Sequence, residues 1–284
     1  MTQRTKHHLQ ASPIRGADDF AVAFHASRET LERLATYERL LRQWQKTINL
    51  VAPSTLDAIW HRHFADSAQL LALAPRATTW VDLGSGAGFP GLVIALMLAD
   101  RVKADVPSPI TSEACLRHDV GEGQGGGDGR TSAVGIPPTP NPSPQGGGGP
   151  RAGREGIRIT LIEANARKCA LLREVVRQTG ISARVAVDIL STRIENAATQ
   201  ARLRGPDVVT ARALAPLDKL MNLAAPLSSS RSVGLFLKGR EVATELRAAE
   251  KMWNFNAELV PSRTDPDASV VVIRNLHPKA KTKE

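Results

Sequence analysis

Apolar residues along the first part of the chain recur at helical spacing. Leu31, Leu34, Leu41, Trp44 and Ile48 fall at intervals of three, four and seven, which marks one face of a helix. Ser27 stands where an N-cap is needed, and Glu29 places a negative charge in the first turn, where the helix dipole favours it. A second helix is expected over Leu56 to Leu73, carrying His61, Arg62, His63 and Asp66. Residues 27–76 therefore read as a small helical layer, and the polar residues 1–26 before it as a disordered N-terminus. At Thr78 the period changes. Short apolar runs predict strands near 78–83, 157–163, 183–188, 207–212, 232–238, 257–261 and 269–274, with helical patterns near 90–99, 166–179, 191–203, 216–226 and 239–252. Strands alternating with helices imply a mainly parallel sheet covered on both faces. The last two strands are joined by the turn-rich segment Pro261 to Asp267, which suits a terminal antiparallel pair.

One stretch breaks this pattern. Residues 101–156 hold 13 of the 22 glycines and 8 of the 18 prolines, with four consecutive glycines at 146–149. Such a composition buries too little apolar surface to offset the entropy of ordering. In a nucleotide-binding βαβ unit the acidic residue after the second strand lies about 20 residues past the glycines. Here Glu163 lies 80 residues past Leu83. Removing a segment of roughly 50 residues restores that spacing. Residues 103–155 thus read as a low-complexity, disordered insertion between the first helix of the sheet domain and the second strand, at the edge away from a ligand. The sheet domain would then run over 77–276 around this insertion, followed by a basic tail, 277–284, with Lys279, Lys281 and Lys283.

Composition narrows the partners. The chain has 284 residues, 42% hydrophobic but only 4% aromatic, so Leu, Val, Ile and Ala must build the core. A net charge of +9 favours an anionic partner such as nucleic acid. Cys115 and Cys169 form no metal-ligand or C-x-x-C pattern, which fits a reducing compartment. Met1 to Gln10 has no signal-peptide core, and no apolar run approaches the roughly 20 residues needed to span a membrane. A cytoplasmic protein without a membrane partner is expected.

The densest chemical signal is residues 80–91, Trp-Val-Asp-Leu-Gly-Ser-Gly-Ala-Gly-Phe-Pro-Gly. An apolar strand stops in glycines and gives way to the helical run Leu92 to Leu98, the turn at which parallel sheets hold nucleotides. Gly86 to Gly91 also fits the dinucleotide fingerprint G-x-G-x-x-G. The glycines, however, begin at Gly84, directly after the strand, and Phe89-Pro90 puts bulk where a pyrophosphate needs close backbone approach. A methionine-linked adenosine has no phosphate and needs only a glycine shelf, so a methyl donor is favoured over a dinucleotide. Glu163 ends the second strand and can accept both ribose hydroxyls, or it can simply favour the next helix dipole. After the third strand, Ile194 and Glu195 lie where an adenine ring would sit, or Ile194 is ordinary helix packing. Arg212, at the carboxyl end of the fourth strand, is a cation seldom buried without an anionic partner. It could meet a carboxylate of the donor or an RNA phosphate, and Lys238 holds the same place one strand over. Either could instead be a surface ion pair. His61-x-His63 offers too few ligands for a metal. These histidines pack between the helical layer and the sheet, or line a substrate groove.

Several motifs in register carry a resemblance. The glycine segment, Leu-Ile-Glu163-Ala-Asn-Ala-Arg-Lys, Thr-Ala-Arg212-Ala-Leu-Ala-Pro-Leu and Leu-Lys238-Gly occur in order, with Trp44 through Asn49-Leu50 and Arg62-His63-Phe-Ala-Asp66-Ser67 upstream. The chain resembles the RsmG (GidB) family of bacterial 16S ribosomal RNA guanine-N7 methyltransferases over nearly all of residues 27–275, the insertion apart. The resemblance implies an α/β, Rossmann-like S-adenosylmethionine-dependent methyltransferase sheet with a terminal antiparallel strand. It also implies transfer of a methyl group to N7 of the guanine at position 527 of 16S rRNA. Gly84, Gly86, Phe89, Glu163, Ile194, Glu195 and Arg212 would contact the donor, Arg212 beside both donor and substrate, with His63 and Lys238 as substrate residues. The partner would be 16S rRNA or the 30S subunit, met by a monomer. N7 is a free lone pair at neutral pH, so no general base is required, and none stands out in the motifs. A small-molecule or other-RNA methyltransferase on the same fold is the alternative. A binding module that has lost activity belongs to another class and would not bind the donor.

Overall fold

The computed structural model describes residues 13–101 and 156–280. Seven strands form one sheet: β1 (Thr79–Leu83), β2 (Arg158–Glu163), β3 (Ala186–Ser191), β4 (Val208–Arg212), β5 (Val233–Lys238), β6 (Trp253–Pro261) and β7 (Ser269–Pro278). Their order across the sheet is β3-β2-β1-β4-β5-β7-β6. The first five are parallel, while β7 runs antiparallel to both β5 and β6 and so lies between them. This is the Rossmann-like methyltransferase arrangement. The chain winds outward from β1 through β2 to β3, then returns to β4 on the other side of β1. That reversal opens a crevice at the carboxyl ends of β1 and β4, where open parallel sheets bind ligands.

Each face carries its own core. One side packs Trp80, Ile159 and Leu161 against α4 (Gly91–Leu98), α5 (Ala166–Thr179) and the N-terminal layer. The other packs Val81, Leu83, Val209 and Phe236 beneath α7 (Leu217–Ala224) and α8 (Val242–Ala249). The central strands are buried on both faces, so they read as continuous apolar runs. In α4 every residue but Met97 is buried, which explains its lack of a polar stripe.

Several sequence expectations shift. Ser27 does cap α2 (Arg28–Gln45), its side chain accepting from the Thr30 amide at 3.1 Å. Disorder through residue 26 does not hold for Ala17–Phe24, which forms α1. Its Phe20 is fully buried, tilted against Phe24 and edge-on to Trp60. The single helix expected over 56–73 is a succession of tight and wide turns: a 3-10 turn at Pro53–Thr55, a π-helical turn at Trp60–Ala65, the short α3 (Asp66–Ala68) and a 3-10 turn at Gln69–Ala72. β3 starts three residues later than expected because Gly180 closes α5 in the left-handed region and Ile181–Ala183 makes one more turn. The helix expected over 191–203 shrinks to α6 (Ala197–Arg202), capped by the Asn196 side chain. β6 begins four residues earlier than expected, at Trp253, and β7 extends four residues further, to Pro278. The 103–155 insertion and residues 281–284 of the basic tail lie outside the described residues. The described chain leaves after α4 at Arg101 and returns at Gly156, just before β2. That junction is at the amino-terminal end of β2, opposite the crevice.

Candidate functional site

The crevice holds a cavity of about 580 Å³. Its lining falls into two parts. The glycine loop (Gly84, Ser85, Gly86), Glu163, Ile194 and Glu195 come from the carboxyl ends of β1, β2 and β3 and the turns that follow; Leu50, Val51, Ala52, Thr55 and His63 come from the helical layer. Phe89 and Arg212 also line it.

The glycine loop is held from below by Asp82. This carboxylate is fully buried; it accepts from the Gly91 amide at 3.1 Å and from the Thr210 hydroxyl at 3.0 Å. Gly91 can have no side chain, since a Cβ there would come within 2.7 Å of the Asp82 Cβ and 2.4 Å of Leu161. Burial pushes the Asp82 pKa up to about 7, against the lowering effect of its hydrogen bonds from Thr210, Gly91 and Ser85. A raised folded-state pKa means that the folded protein holds this proton more tightly than the unfolded chain. Its contribution to stability is complete below about pH 4 and is lost as pH rises through about 7. Asp82→Asn keeps one acceptor for Gly91 and can donate to Thr210, so it should fold. The melting temperature of the wild type relative to this variant should rise as pH falls from 8 to 5. A constant difference across that range would show that Asp82 does not titrate there.

Glu163 faces the loop from β2. Its two carboxylate oxygens accept from the Gly86 amide at 2.9 Å and the Asn165 amide at 2.7 Å. A carboxylate has about four acceptor positions, so lone pairs remain for a vicinal diol. Ile194, 8% exposed, and the exposed Glu195 form the wall after β3.

Arg212 ends β4 and is mostly buried. Its Nη2 donates to His63 Nδ1 at 2.8 Å. Its Nη1 lies 3.2 Å from Asp66 Oδ2 but off the hydrogen-bond line, and is buried without a hydrogen-bond partner among the described residues. The next residue, Ala213, takes φ 51°, an unusual conformation for a residue with a Cβ. Phe89 stacks on His63, with centroids 4.8 Å apart, and on Tyr37 at 5.4 Å. The Tyr37 hydroxyl donates to the Ala87 carbonyl at 2.5 Å, tying α2 to the glycine loop. Burial raises the Tyr37 pKa well above its usual value, so it stays a neutral donor.

Of the residues singled out in the sequence, Gly84, Gly86, Phe89, Glu163, Ile194, Glu195, Arg212 and His63 meet around this one cavity. Lys238 does not line it. Its ammonium lies 2.7 Å from Glu245 and donates to the Ala215 carbonyl at 2.5 Å, while Glu245 also accepts from the Leu217 amide. It braces the β4–α7 connection. His61 accepts from the Ile14 amide at 3.2 Å and holds the approach to α1. Tyr37, the lone tyrosine, Thr55 and Asp66 are among the contributors that sequence reasoning left without a role. Asp66 stood inside an upstream motif, and its pairing with Arg212 spans 146 positions.

The sequence model of the family described as rRNA small subunit methyltransferase G matches residues 30–104 and 153–269. The chain belongs to this family. The methyltransferase G model thus runs through both halves of the cavity and skips 105–152. The ribosomal RNA small subunit methyltransferase G of Parvibaculum lavamentivorans is 39% identical over 275 residues, covering 96% of each chain. That of Rhodospirillum centenum is 40% identical over 269 residues, 94% of each. Among solved structures, a methyltransferase from Geobacter sulfurreducens is 12% identical, with a TM-score of 0.47 over 93% of this chain and 98% of that one. No helix among the described residues is long and apolar enough to cross a membrane. Nor do three His, Cys, Asp or Glu side chains gather there as metal ligands.

Proposed function

We propose that this methyltransferase transfers the methyl group of S-adenosylmethionine to N7 of a guanine in 16S rRNA, the guanine at position 527, acting as a cytoplasmic monomer on the ribosomal RNA. The observation that carries this reading is the family match across both segments that build the cavity. The cavity's residues fit the donor. Gly84 and Gly86 present backbone where side chains would intrude, Glu163 retains free lone pairs for two ribose hydroxyls, and Ile194 with Glu195 offers an apolar wall and an acceptor for a purine ring. S-adenosylmethionine supplies an electrophilic methyl on a sulfonium. The chain's own part is to hold the two reactants in line and to keep water out. The second half of the cavity, Leu50 to Ala52 with Thr55, is the place for the target base, unstacked from its loop.

No proton needs to be removed for N7 to attack, and the site suits that. Burial, then the charges of Arg212 and Arg62, hold the His63 pKa down at about 3. Its Nδ1 lone pair is already engaged by Arg212, so it is no free base. Cys169, the nucleophile type that a cytosine-C5 transfer would need, is on the buried face of α5 with its thiol donating to the Glu163 carbonyl. A net charge of +9 suits a polyanionic substrate, so binding should weaken with salt.

The test is transfer from labelled S-adenosylmethionine to unmodified 30S subunits and to naked 16S rRNA, with the product nucleoside identified. 7-Methylguanosine at a single position is the expected product. Transfer only to metabolites would favour the small-molecule alternative, and donor binding without any transfer would move the substrate elsewhere. We further propose that 103–155 is an insertion that the reaction does not use. Deleting it should leave turnover within about threefold of the full chain, a change under about 1 kcal/mol in the barrier. Loss of donor binding in a folded deletion would refute that.

A further inference from the structure

The hydrogen bonds around His63 form a chain with a single allowed direction. A guanidinium has only donors. Arg212 Nη2 therefore donates to His63 Nδ1, which must present its lone pair. The ring's proton is then on Nε2, 2.8 Å from the Thr55 hydroxyl oxygen. Thr55 accepts that proton's hydrogen bond and passes its own hydroxyl hydrogen to the Ala52 carbonyl at 2.7 Å. Any other placement of the ring proton sets two donors against each other at Arg212.

Three further features converge on the same ring. His63 lies in the π-helical turn Trp60–Ala65, a wide turn of the kind often found at functional sites. Its face is fixed by Phe89 of the glycine loop, at an interplanar angle of 21°. Around it stand Arg62 on its own turn, Arg212 from β4 and Asp66 beside Arg212. Asp66 is itself anchored by the Thr264 hydroxyl at 2.8 Å and the Gln69 amide at 2.9 Å. The guanidinium is therefore set from two sides, by a neutral acceptor on Nη2 and by an anchored carboxylate near Nη1.

We infer that His63 is a positioning residue, a permanently neutral imidazole in the Nε2–H form that fixes the Arg212 guanidinium between the two halves of the cavity. The inference rests on the reading of Arg212 as part of the methyl-transfer site, but the state of the ring can be observed without turnover. The helical layer is then more than a cover. Through Ala52, Thr55 and His63 it sets the orientation of the cation at the tip of β4.

Two measurements test this. In protein labelled with nitrogen-15 at histidine, the His63 ring signals, assigned by their loss in the Asn variant, should show a neutral Nε2–H tautomer from pH 5.5 to 8. An Nδ1–H tautomer, or a ring that titrates in that window, overturns the inference whatever the activity. The second measurement compares two variants in single-turnover transfer to the 30S subunit. His63→Phe keeps a ring to stack on Phe89 but removes the acceptor, and should lower the rate at least about tenfold. His63→Asn loses the ring but returns an acceptor near the Nδ1 position, and should recover most of that loss. A folded Phe variant with wild-type rate, or an Asn variant no faster than Phe, overturns the positioning role. If the wild type transfers no methyl group to any RNA, the proposed reaction fails while the tautomer still reports on the His63–Arg212 bond.

Discussion

Replacing Arg212 with alanine is expected to lower the single-turnover transfer rate by at least about a hundredfold, the usual cost of removing one preorganised charged donor from a closed site. The structure also predicts a cost to the fold. The deletion leaves Asp66 as a mostly buried carboxylate without its cation and His63 Nδ1 without its donor. Breaking a buried pair on one side typically costs about 3–5 kcal/mol. Asp66 keeps its bonds from Thr264 and Gln69, so the lower end is expected here. The double change Arg212→Met with Asp66→Asn removes the stranded charge and should restore much of the melting temperature but none of the activity. Thermal unfolding and transfer measured on the same samples separate the two effects. Near-wild-type transfer by the folded alanine variant would remove Arg212 from the reaction.

The second large effect is expected at Gly88. Its φ of 108° lies outside what side-chain-bearing residues adopt. An added Cβ would come within 2.5 Å of the Tyr37 hydroxyl and 3.0 Å of Leu172 and Leu92. The hydroxyl has nowhere to go, because it is buried and bonded to Ala87, one residue away. Backbone strain and overpacking each cost about 1–3 kcal/mol. Gly88→Ala should therefore lose about 3 kcal/mol or more and melt roughly 6–12 °C lower. The same shift would displace Phe89, so donor binding measured by calorimetry should be lost or severely weakened. Gly86→Ala is the control. Its φ is 58°, but the nearest atom to a Cβ is the Gly84 carbonyl oxygen at 3.7 Å, so only the conformational cost remains. Equal destabilisation of the two variants would mean that the Tyr37 contact is irrelevant.

The sheet was legible because its central strands are buried on both faces and so appear as unbroken apolar runs between glycine- and proline-rich turns. The residues that line the cavity were legible for a related reason. In a parallel sheet each strand's carboxyl end must face the crevice, so Glu163 and Arg212 are placed by strand register alone. Lys238 shows the limit of that rule. Lys238 also ends its strand, but Arg212 pairs with Leu237, so Lys238 lies one residue further on and faces the other side of the sheet, where Glu245 on α8 takes its charge. Which tip residue reaches the cavity depends on how neighbouring strands align, and no local pattern in β5 alone reports that. The stretch 53–72 was least legible. Its turns change from 3-10 to π to α within twenty residues, so no single period describes them. Its partners in the site, Arg212 and Thr264, come from strands and turns more than a hundred residues away.

That last contact has a consequence for shuffling genes of this family. The turn between β6 and β7 meets the π-helical turn and its neighbours at several points: Arg62 with Asp265 at 2.8 Å, Asp66 with Thr264, and Gln69 with the Arg263 amide at 2.9 Å. Residues 62–69 and 262–265 therefore form one packed unit, split by almost two hundred positions of sequence. A chimaera with a single crossover between them takes the two halves of that unit from different parents, while a double crossover that exchanges only the intervening sheet keeps both from one.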